Sequence, residues 1–304
     1  MIIGANDAIL IDKQTHFSVQ NALQLINSQS RPIRMLKHSN MAMLRQYIQR
    51  LKNKYEKIWY FADGIYSMFG DILPYEEINE LMDEFEQLHL YVDDAHGFAW
   101  CGEKGSGSIY NKIKHKDRFV LAVSLNKAFG SAGGGIVVFP NTKMYETVQK
   151  FGGPLSYSHP LSPPAIGASM ASVEIMLSEE GELMQSELRD RIEYCDKLLN
   201  EASLPMMSSP DSAIKFLAVG DLEIGYKLIR KMINEGYFVN IAMFPAVSIN
   251  NTGMRFSLNR LISMEHIKRF VELLRYHYFM TLKEHNTSVE VVLKSFKNPV
   301  SKKV

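Results

Sequence analysis

Tyr91-Val92-Asp93-Asp94-Ala95-His96-Gly97 closes an apolar run, and acidic and imidazole side chains follow at once. A second apolar run, Phe119 to Val123, ends in the same way and continues through Ser124-Leu125-Asn126-Lys127 into a glycine-rich stretch. Both runs are typical of buried parallel strands, and open α/β sheets bind ligands at the carboxyl ends of their strands. We therefore expect the two polar clusters to meet at one edge of a sheet.

The residues in these clusters are the types that hold pyridoxal phosphate (PLP). Asp93 would pair with the protonated pyridine nitrogen, and Lys127 would form a Schiff base with the aldehyde. His96 would contact the phenolic oxygen of the cofactor, and Ser124 would donate to its phosphate. The small residues and glycines after Lys127 would let the backbone approach a ligand closely.

The same residues also allow other interpretations. Asp93 could cap a helix, or it could bind a metal ion together with Asp94 and His96. Lys127 could be an ordinary surface lysine. Arg255 lies in an otherwise apolar strand and needs an anionic partner, which would be either a substrate carboxylate or a structural salt bridge.

Composition narrows the class of protein. The 304 residues include 46% hydrophobic residues and carry a net charge of +1, which gives no electrostatic reason to expect binding to nucleic acid or to an anionic membrane. No apolar run reaches the roughly 18 residues that a membrane span needs, and the N-terminus lacks a signal-peptide pattern. Cys101 and Cys195 have no metal-type spacing, so a reducing, cytoplasmic location is expected.

Strand and helix patterns alternate through the first half of the chain, which predicts an α/β fold with a mixed, mostly parallel sheet between helices. The predicted strands are Ala8–Ile11, Ile33–Leu36, Lys57–Ala62, Leu88–Val92, Phe119–Val123 and Gly135–Phe139.

The pattern changes after Pro163-Pro164, where Ala165 to Asn200 is mostly helical with a predicted break at Gly181. We predict a PLP-binding large domain over 1–175, a small α+β domain over 176–290 and a basic tail over 291–304.

Assembled, these motifs resemble the α-oxoamine synthase family of fold-type-I (aspartate aminotransferase-like) PLP-dependent enzymes. The matching segments are Asp12–Ser18, Asp63–Asp71, Val92–Gly97 with Gly102–Gly107, Ser124–Gly130, Tyr157–Pro164 and Met254–Ser257.

The resemblance implies roles for further residues. His16 would stack on the cofactor ring, and Asp63 and Ser67 would contribute to cofactor binding. Arg255 would bind the amino-acid carboxylate. One of the serines in 156–162 would reach the phosphate in a neighbouring subunit, and the sequence leaves open which one.

The resemblance also implies a reaction. The family condenses an amino acid with an acyl thioester, carried by CoA or an acyl carrier protein, and decarboxylation yields an α-aminoketone. Catalysis would use Lys127, His16 and Asp93, in a homodimer with shared active sites. Two alternatives remain: an aminotransferase on the same fold, and a shortened homologue that lacks the family's N-terminal part and is non-catalytic or partner-dependent.

Overall fold

The computed structural model describes residues 2–27 and 32–296, which form two compact units. The first unit contains the residues up to Tyr66 and from Ile72 to Glu182. The second contains Ser67–Asp71 and the residues from Leu183 onward. The predicted domain limits, with a boundary near residue 175, stay a prediction.

A sheet between helices forms the first unit. Its strands are Asp7–Asp12 (β1), Ile33–Leu36 (β2), Lys57–Asp63 (β3), Leu88–Asp93 (β4), Phe119–Ser124 (β5) and Gly135–Val138 (β6). Its helices are Phe17–Asn27 (α1), Met41–Leu51 (α2), Tyr75–Glu84 (α3), Thr142–Phe151 (α4), Gly153–Tyr157 (α5) and Pro163–Leu177 (α6).

The described strands of this unit pair in the order β2-β1-β3-β4-β5-β6. All neighbours are parallel except β5 and β6, which are antiparallel. The predicted fold class, a mixed and mostly parallel α/β sheet, is therefore confirmed. Because β1, β3, β4 and β5 run in the same direction, their carboxyl ends lie along one edge of the sheet.

Alternating side chains on β1 and β3 enter different apolar layers. Leu10 and Tyr60 belong to a buried cluster with residues of α2 and α3, whereas Ile9 and Trp59 belong to a second cluster with residues of α1. Both faces of the central strands are thus covered, as parallel sheets require. Asn40 caps α2 as predicted, because its side chain accepts the Met43 N–H at 2.8 Å.

The predicted helix break at Gly181 is wrong. The interruption lies at Ser178, and Gly181 sits in the first turn of the next helix, Glu179–Glu201 (α7). A Cβ on Gly181 would come within 2.4 Å of the Ile175 carbonyl oxygen. The glycine therefore permits a close approach of backbone to backbone and does not end a helix.

The second unit is built on a small antiparallel sheet of strands ordered β7-β9-β8. Its described elements after α7 are Ile214–Gly220 (β7), Leu222–Asn234 (α8), Asn240–Ala242 (β8), Thr252–Ser257 (β9), Met264–Glu284 (α9) and Val289–Ser295 (α10).

The predicted basic tail over 291–304 begins inside α10. Val292 is buried, and the ring of buried Phe296 lies 6.2 Å from that of Phe216 on β7. Two apolar side chains of this segment are therefore buried, and the basic tail as a separate region stays a prediction. The remainder of the prediction, 297–304, lies outside the described residues.

No helix in the described ranges combines the length and the apolar character needed to cross a membrane. Cys101 and Cys195 are free thiols. The cytoplasmic location stays a prediction.

A buried ion pair holds α7 against β7 in the second unit. The Lys215 side chain is fully buried, and its Nζ lies 2.5 Å from Oδ1 of Asp196. An ammonium group without water needs a close carboxylate, because its desolvation is otherwise uncompensated.

We expect Asp196→Asn to lower the free energy of unfolding by about 3 kcal/mol, because it leaves the Lys215 charge buried and unpaired. Urea unfolding followed by circular dichroism measures the change. Glu223→Gln is the matched control, since it breaks an exposed pair with Lys227 and should cost less than about 1 kcal/mol. Equal losses in the two variants would contradict the analysis.

Candidate functional site

Three neighbouring strands of the large sheet end in an aspartate. Asp12 is the last residue of β1, Asp63 of β3 and Asp93 of β4. Asp63 and Asp93 are direct register partners, so their side chains leave the sheet side by side. The carboxyl edge where the sequence predicted a site is thus lined with acidic groups.

Asp63 is the most perturbed of these groups. Its side chain is buried, and its Oδ1 accepts the backbone N–H of His16 at 3.0 Å. Burial raises the pKa of Asp63 to about 8, and the negative charges of Asp93 and Asp12 add to the rise. The N–H of His16 and the positive charge of Lys127 oppose it.

Asp93 starts the polar cluster that follows β4. It is half-buried, and its Oδ1 accepts the Ala95 N–H at 3.0 Å. His96 follows in the same turn, is half-buried, and accepts the indole N–H of Trp100 on its carbonyl oxygen at 2.5 Å. The predicted acid and the predicted histidine therefore lie together at the end of one strand.

Lys127 lies in a tight turn after β5 and is exposed. Its carbonyl oxygen accepts the Gly130 N–H at 3.0 Å, and the Ser131 N–H donates to Leu125 at 2.8 Å. Because β5 is parallel to β4 and ends at Ser124, this turn follows the same edge of the sheet as Asp93, and the positive charge of Lys127 lowers the pKa of Asp63. Ser124 ends β5 at the same edge.

Ser124 is half-buried, and its hydroxyl hydrogen-bonds the side chain of Asn126. Its predicted role at the phosphate stays a prediction. The serines of 156–162 are all exposed, and the choice among them stays open.

Asp94 was assigned no firm role by the sequence analysis, yet it organises the loop after β4. It is fully buried, and it accepts the Ser108 N–H and hydroxyl, each at 2.6 Å. A Cβ on Gly64, Gly97 or Gly107 would come within 2.3 Å of its carboxylate oxygens. Gly107 precedes the donor Ser108, and the three glycines let the backbone come close to this acid because they carry no side chain.

Burial raises the pKa of Asp94 to about 6, against the opposing hydrogen bonds from Ser108. Its neighbour Asp93 is the more accessible of the two acids. The buried Asp94 therefore organises the loop, whereas the half-buried Asp93 is the acid that remains accessible.

Asp12 organises the turn that presents His16. It is fully buried and pairs with His38 Nδ1 at 2.9 Å, and the N–H groups of Gln14 and Ser39 donate to it at 2.8 and 2.7 Å. Burial alone would raise the pKa of Asp12, but these donors hold it below its ordinary value. His16 itself is exposed, with Nδ1 2.7 Å from the hydroxyl of Ser18.

Arg255 and Ser67 belong to the second unit. The Arg255 guanidinium is half-buried on β9, and its Nε–H donates to the Ser67 carbonyl oxygen at 2.8 Å. No carboxylate of a described residue forms an ion pair with Arg255, so the structural salt bridge that the sequence allowed is not found there. The roles of both residues at the substrate and the cofactor stay predictions.

The metal-binding interpretation of the Asp-Asp-Ala-His cluster gains no support. Within 2–27 and 32–296, no group of three or more His, Cys, Asp or Glu side chains is arranged to hold a metal ion. The functional groups that follow β4 and β5 at this edge are a carboxylate (Asp93), an imidazole (His96) and a primary amine (Lys127). This set matches the chemistry of PLP, whose ring nitrogen pairs with an acid and whose aldehyde reacts with an amine.

We expect Asp63→Asn to change how stability depends on pH. The folded pKa of Asp63 lies above the ordinary value of 3.8, so the unfolded chain loses this proton first as pH rises. Wild-type stability should therefore fall relative to the variant from about pH 4 to pH 8, with a limiting slope of about 1.4 kcal/mol per pH unit.

Urea titrations at pH 5, 6.5 and 8 measure this difference. Asp117→Asn, which alters an exposed aspartate, should give curves parallel to wild type. A difference between wild type and Asp63→Asn that stays constant over this pH range would contradict a neutral Asp63.

Comparison with known proteins agrees with this geometry. The model of the family described as aminotransferase class I and II matches residues 1–274. An 8-amino-7-oxononanoate synthase of Thermoanaerobacter pseudethanolicus is 28% identical over 254 residues, which are 84% of this chain and 62% of that protein. The chain thus spans less than two thirds of the length of this relative.

Solved structures show the same fold. Serine palmitoyltransferase of Sphingomonas wittichii matches with a TM-score of 0.80 at 21% identity, over 92% of this chain and 68% of that one. A structure of SPT with PLP matches with the same TM-score at 20% identity and the same coverage. The predicted resemblance to the α-oxoamine synthases is confirmed by these proteins, and, because the family model matches most of its length, the chain belongs to the aminotransferase class I and II family.

Proposed function

We propose that this chain binds PLP and condenses an amino acid with an acyl thioester, with loss of carbon dioxide, to form an α-aminoketone. The observation that supports the proposal best is the meeting of Asp93, Asp63 and the Lys127 charge at one sheet edge. The relatives named 8-amino-7-oxononanoate synthase support the reaction class.

Each group has a separate task in this proposal. PLP, when bound, supplies an electron sink for the bond that breaks at the amino-acid Cα. Asp93 would keep the ring nitrogen protonated, and Lys127 Nζ would hold the aldehyde carbon. The Lys127 amine would also take a proton from the amino-acid Cα and return one later, as a general base and acid.

The remaining residues orient the reactants. His16 follows the Asp12 turn, and its backbone N–H donates to Asp63, which supports a role for its ring in stacking on a cofactor. His96 would hold the phenolic oxygen, and Ser124 the phosphate. Arg255 would bind the substrate carboxylate through its two-nitrogen fork.

We expect added PLP to give a visible absorption band that Lys127→Ala removes. In the same variant, turnover of amino acid and acyl-CoA should fall by about 10²- to 10⁴-fold, because the proton carrier is lost. Asp93→Asn should keep the band but lower turnover, because it weakens the electron sink. Spectroscopy and release of free CoA measure the two effects.

Lys197→Ala is the matched control, since Lys197 is an exposed lysine of the second unit. Full steady-state activity in Lys127→Ala would overturn the assignment of the lysine. A Lys127-dependent band without turnover would instead favour the non-catalytic or partner-dependent alternative.

An aminotransferase is the second candidate, because the matching family model describes that class. The same lysine and acid would serve it, but the reaction would use a 2-oxo acid and no thioester. Incubation of the PLP-loaded protein with an amino acid alone separates the two. A half-reaction that releases a 2-oxo acid favours the aminotransferase, whereas dependence on acyl-CoA favours condensation.

We also propose that the chain forms a homodimer through the apolar surface of residues 136–177. Ile136, Val137 and Val138 on β6 are each more than a third exposed, as are Met170 and other residues of α4, α5 and α6. An apolar surface of this kind on an edge strand and its adjoining helices is typical of a protein–protein interface.

A particle mass about twice that of the 34.7 kDa chain is therefore expected from light scattering. Met170→Glu should shift the mass toward the monomer, because it places a charge in the interface. Ile233→Glu alters another exposed apolar residue, on α8, and should leave the mass unchanged. A monomeric wild-type protein would refute the proposal.

A further inference from the structure

Asp63 and Asp93 are neighbouring carboxyl groups at the candidate site. The proposed function does not say which of them is protonated. As register partners on parallel strands, their Cα atoms are about 5 Å apart, and their side chains leave the same face. Two carboxylates carried by neighbouring Cα atoms on the same face repel each other when neither is fully in water, and this repulsion favours the protonated form of one of them.

Burial decides which member holds the proton. Asp63 is 2% exposed, whereas Asp93 is half-buried and closer to water. Among the described residues, Asp63 accepts a hydrogen bond only from the His16 N–H. Asp12 is equally buried, but four donors contact it, and it remains ionised. Asp63 lacks that compensation, which favours its neutral form.

Two of the charges around Asp63 act in the same direction as its burial. The titratable groups near it are Asp12 on β1, His16 after β1, Tyr91 and Asp93 on β4, and Lys127 after β5. Asp12 and Asp93 both favour the protonated acid, and Lys127 opposes them. The pKa of Asp63 is raised to about 8, in agreement with the geometry.

We propose that, without a ligand, Asp63 is a carboxylic acid beside the Asp93 carboxylate, and that a cation bound at Asp93 drives the Asp63 proton into solvent. The step breaks one O–H bond on Asp63 and transfers the proton to water or buffer. Only the identity of the cation, the protonated ring nitrogen of PLP, rests on the proposed function. Asp63 is thus a positioning residue. Its ionisation makes the site more negative when a cationic ligand is bound.

The first half of the proposal is testable without any cofactor. Carbon-13 labelling of aspartate Cγ lets each carboxyl group be titrated by NMR, and the Asp63 signal is the one that Asp63→Asn removes. We expect this signal to titrate near pH 8. In Asp93→Asn it should titrate at least about one pH unit lower, because the neighbouring charge is gone. Asp117→Asn should leave it unchanged.

The second half is tested with pyridoxine 5′-phosphate, which lacks an aldehyde and so does not react with Lys127. Calorimetric titration at pH 7 in two buffers of different ionisation enthalpy gives the number of protons released on binding. Wild type should release up to one proton more than Asp63→Asn. The ligand's own groups contribute equally in both proteins, so the difference isolates Asp63.

Each outcome bears on the proposal. An Asp63 signal that titrates below pH 5 would overturn the neutral acid, and one that Asp93→Asn leaves in place would overturn its coupling to the Asp93 charge. Binding with equal proton release in wild type and Asp63→Asn would overturn the coupling to a cation. Absence of binding would refute the proposed cofactor, while the NMR titration would still decide the state of Asp63.

Discussion

The register of β3 against β4 is the constraint on which the candidate site depends. It sets Asp63 beside Asp93 at the carboxyl edge, and a slip by one residue would place the two acids on opposite faces of the sheet. The register is fixed by apolar side chains on both faces, such as Tyr60 on one and Trp59 on the other. The packing of the core therefore determines the electrostatics of the site.

Much of the architecture could be predicted from the sequence because its signals are local. Continuous apolar runs predict buried strands, and Asn40 in front of a helical pattern predicts a cap. The acid at the end of β4 and the lysine after β5 were likewise visible, because polar residues that interrupt apolar runs at strand ends are few. Each of these features depends only on residues that lie within a few positions of one another in the sequence.

The sequence could not predict the features that depend on contacts between distant segments. Gly181 has the composition of a helix break but serves a close backbone approach to Ile175. Asp94 adjoins the expected acid, yet its role is set by glycines at 64, 97 and 107, which the fold brings around it. The burial of Asp63 arises from the strands on either side of it, which no local pattern records.

The acids of this edge show that burial alone does not decide ionisation. Asp12 and Asp63 are both almost inaccessible to water, yet their pKa values move in opposite directions. Asp12 is surrounded by donors, including the imidazole of His38, which compensate the loss of water around its charge. Asp63 receives the His16 N–H and faces the Asp93 carboxylate, so its neutral form is the stable one. A row of acids can therefore end adjacent strands without accumulating its full negative charge, and the acid nearest to solvent, Asp93, keeps the charge that a cationic ligand needs.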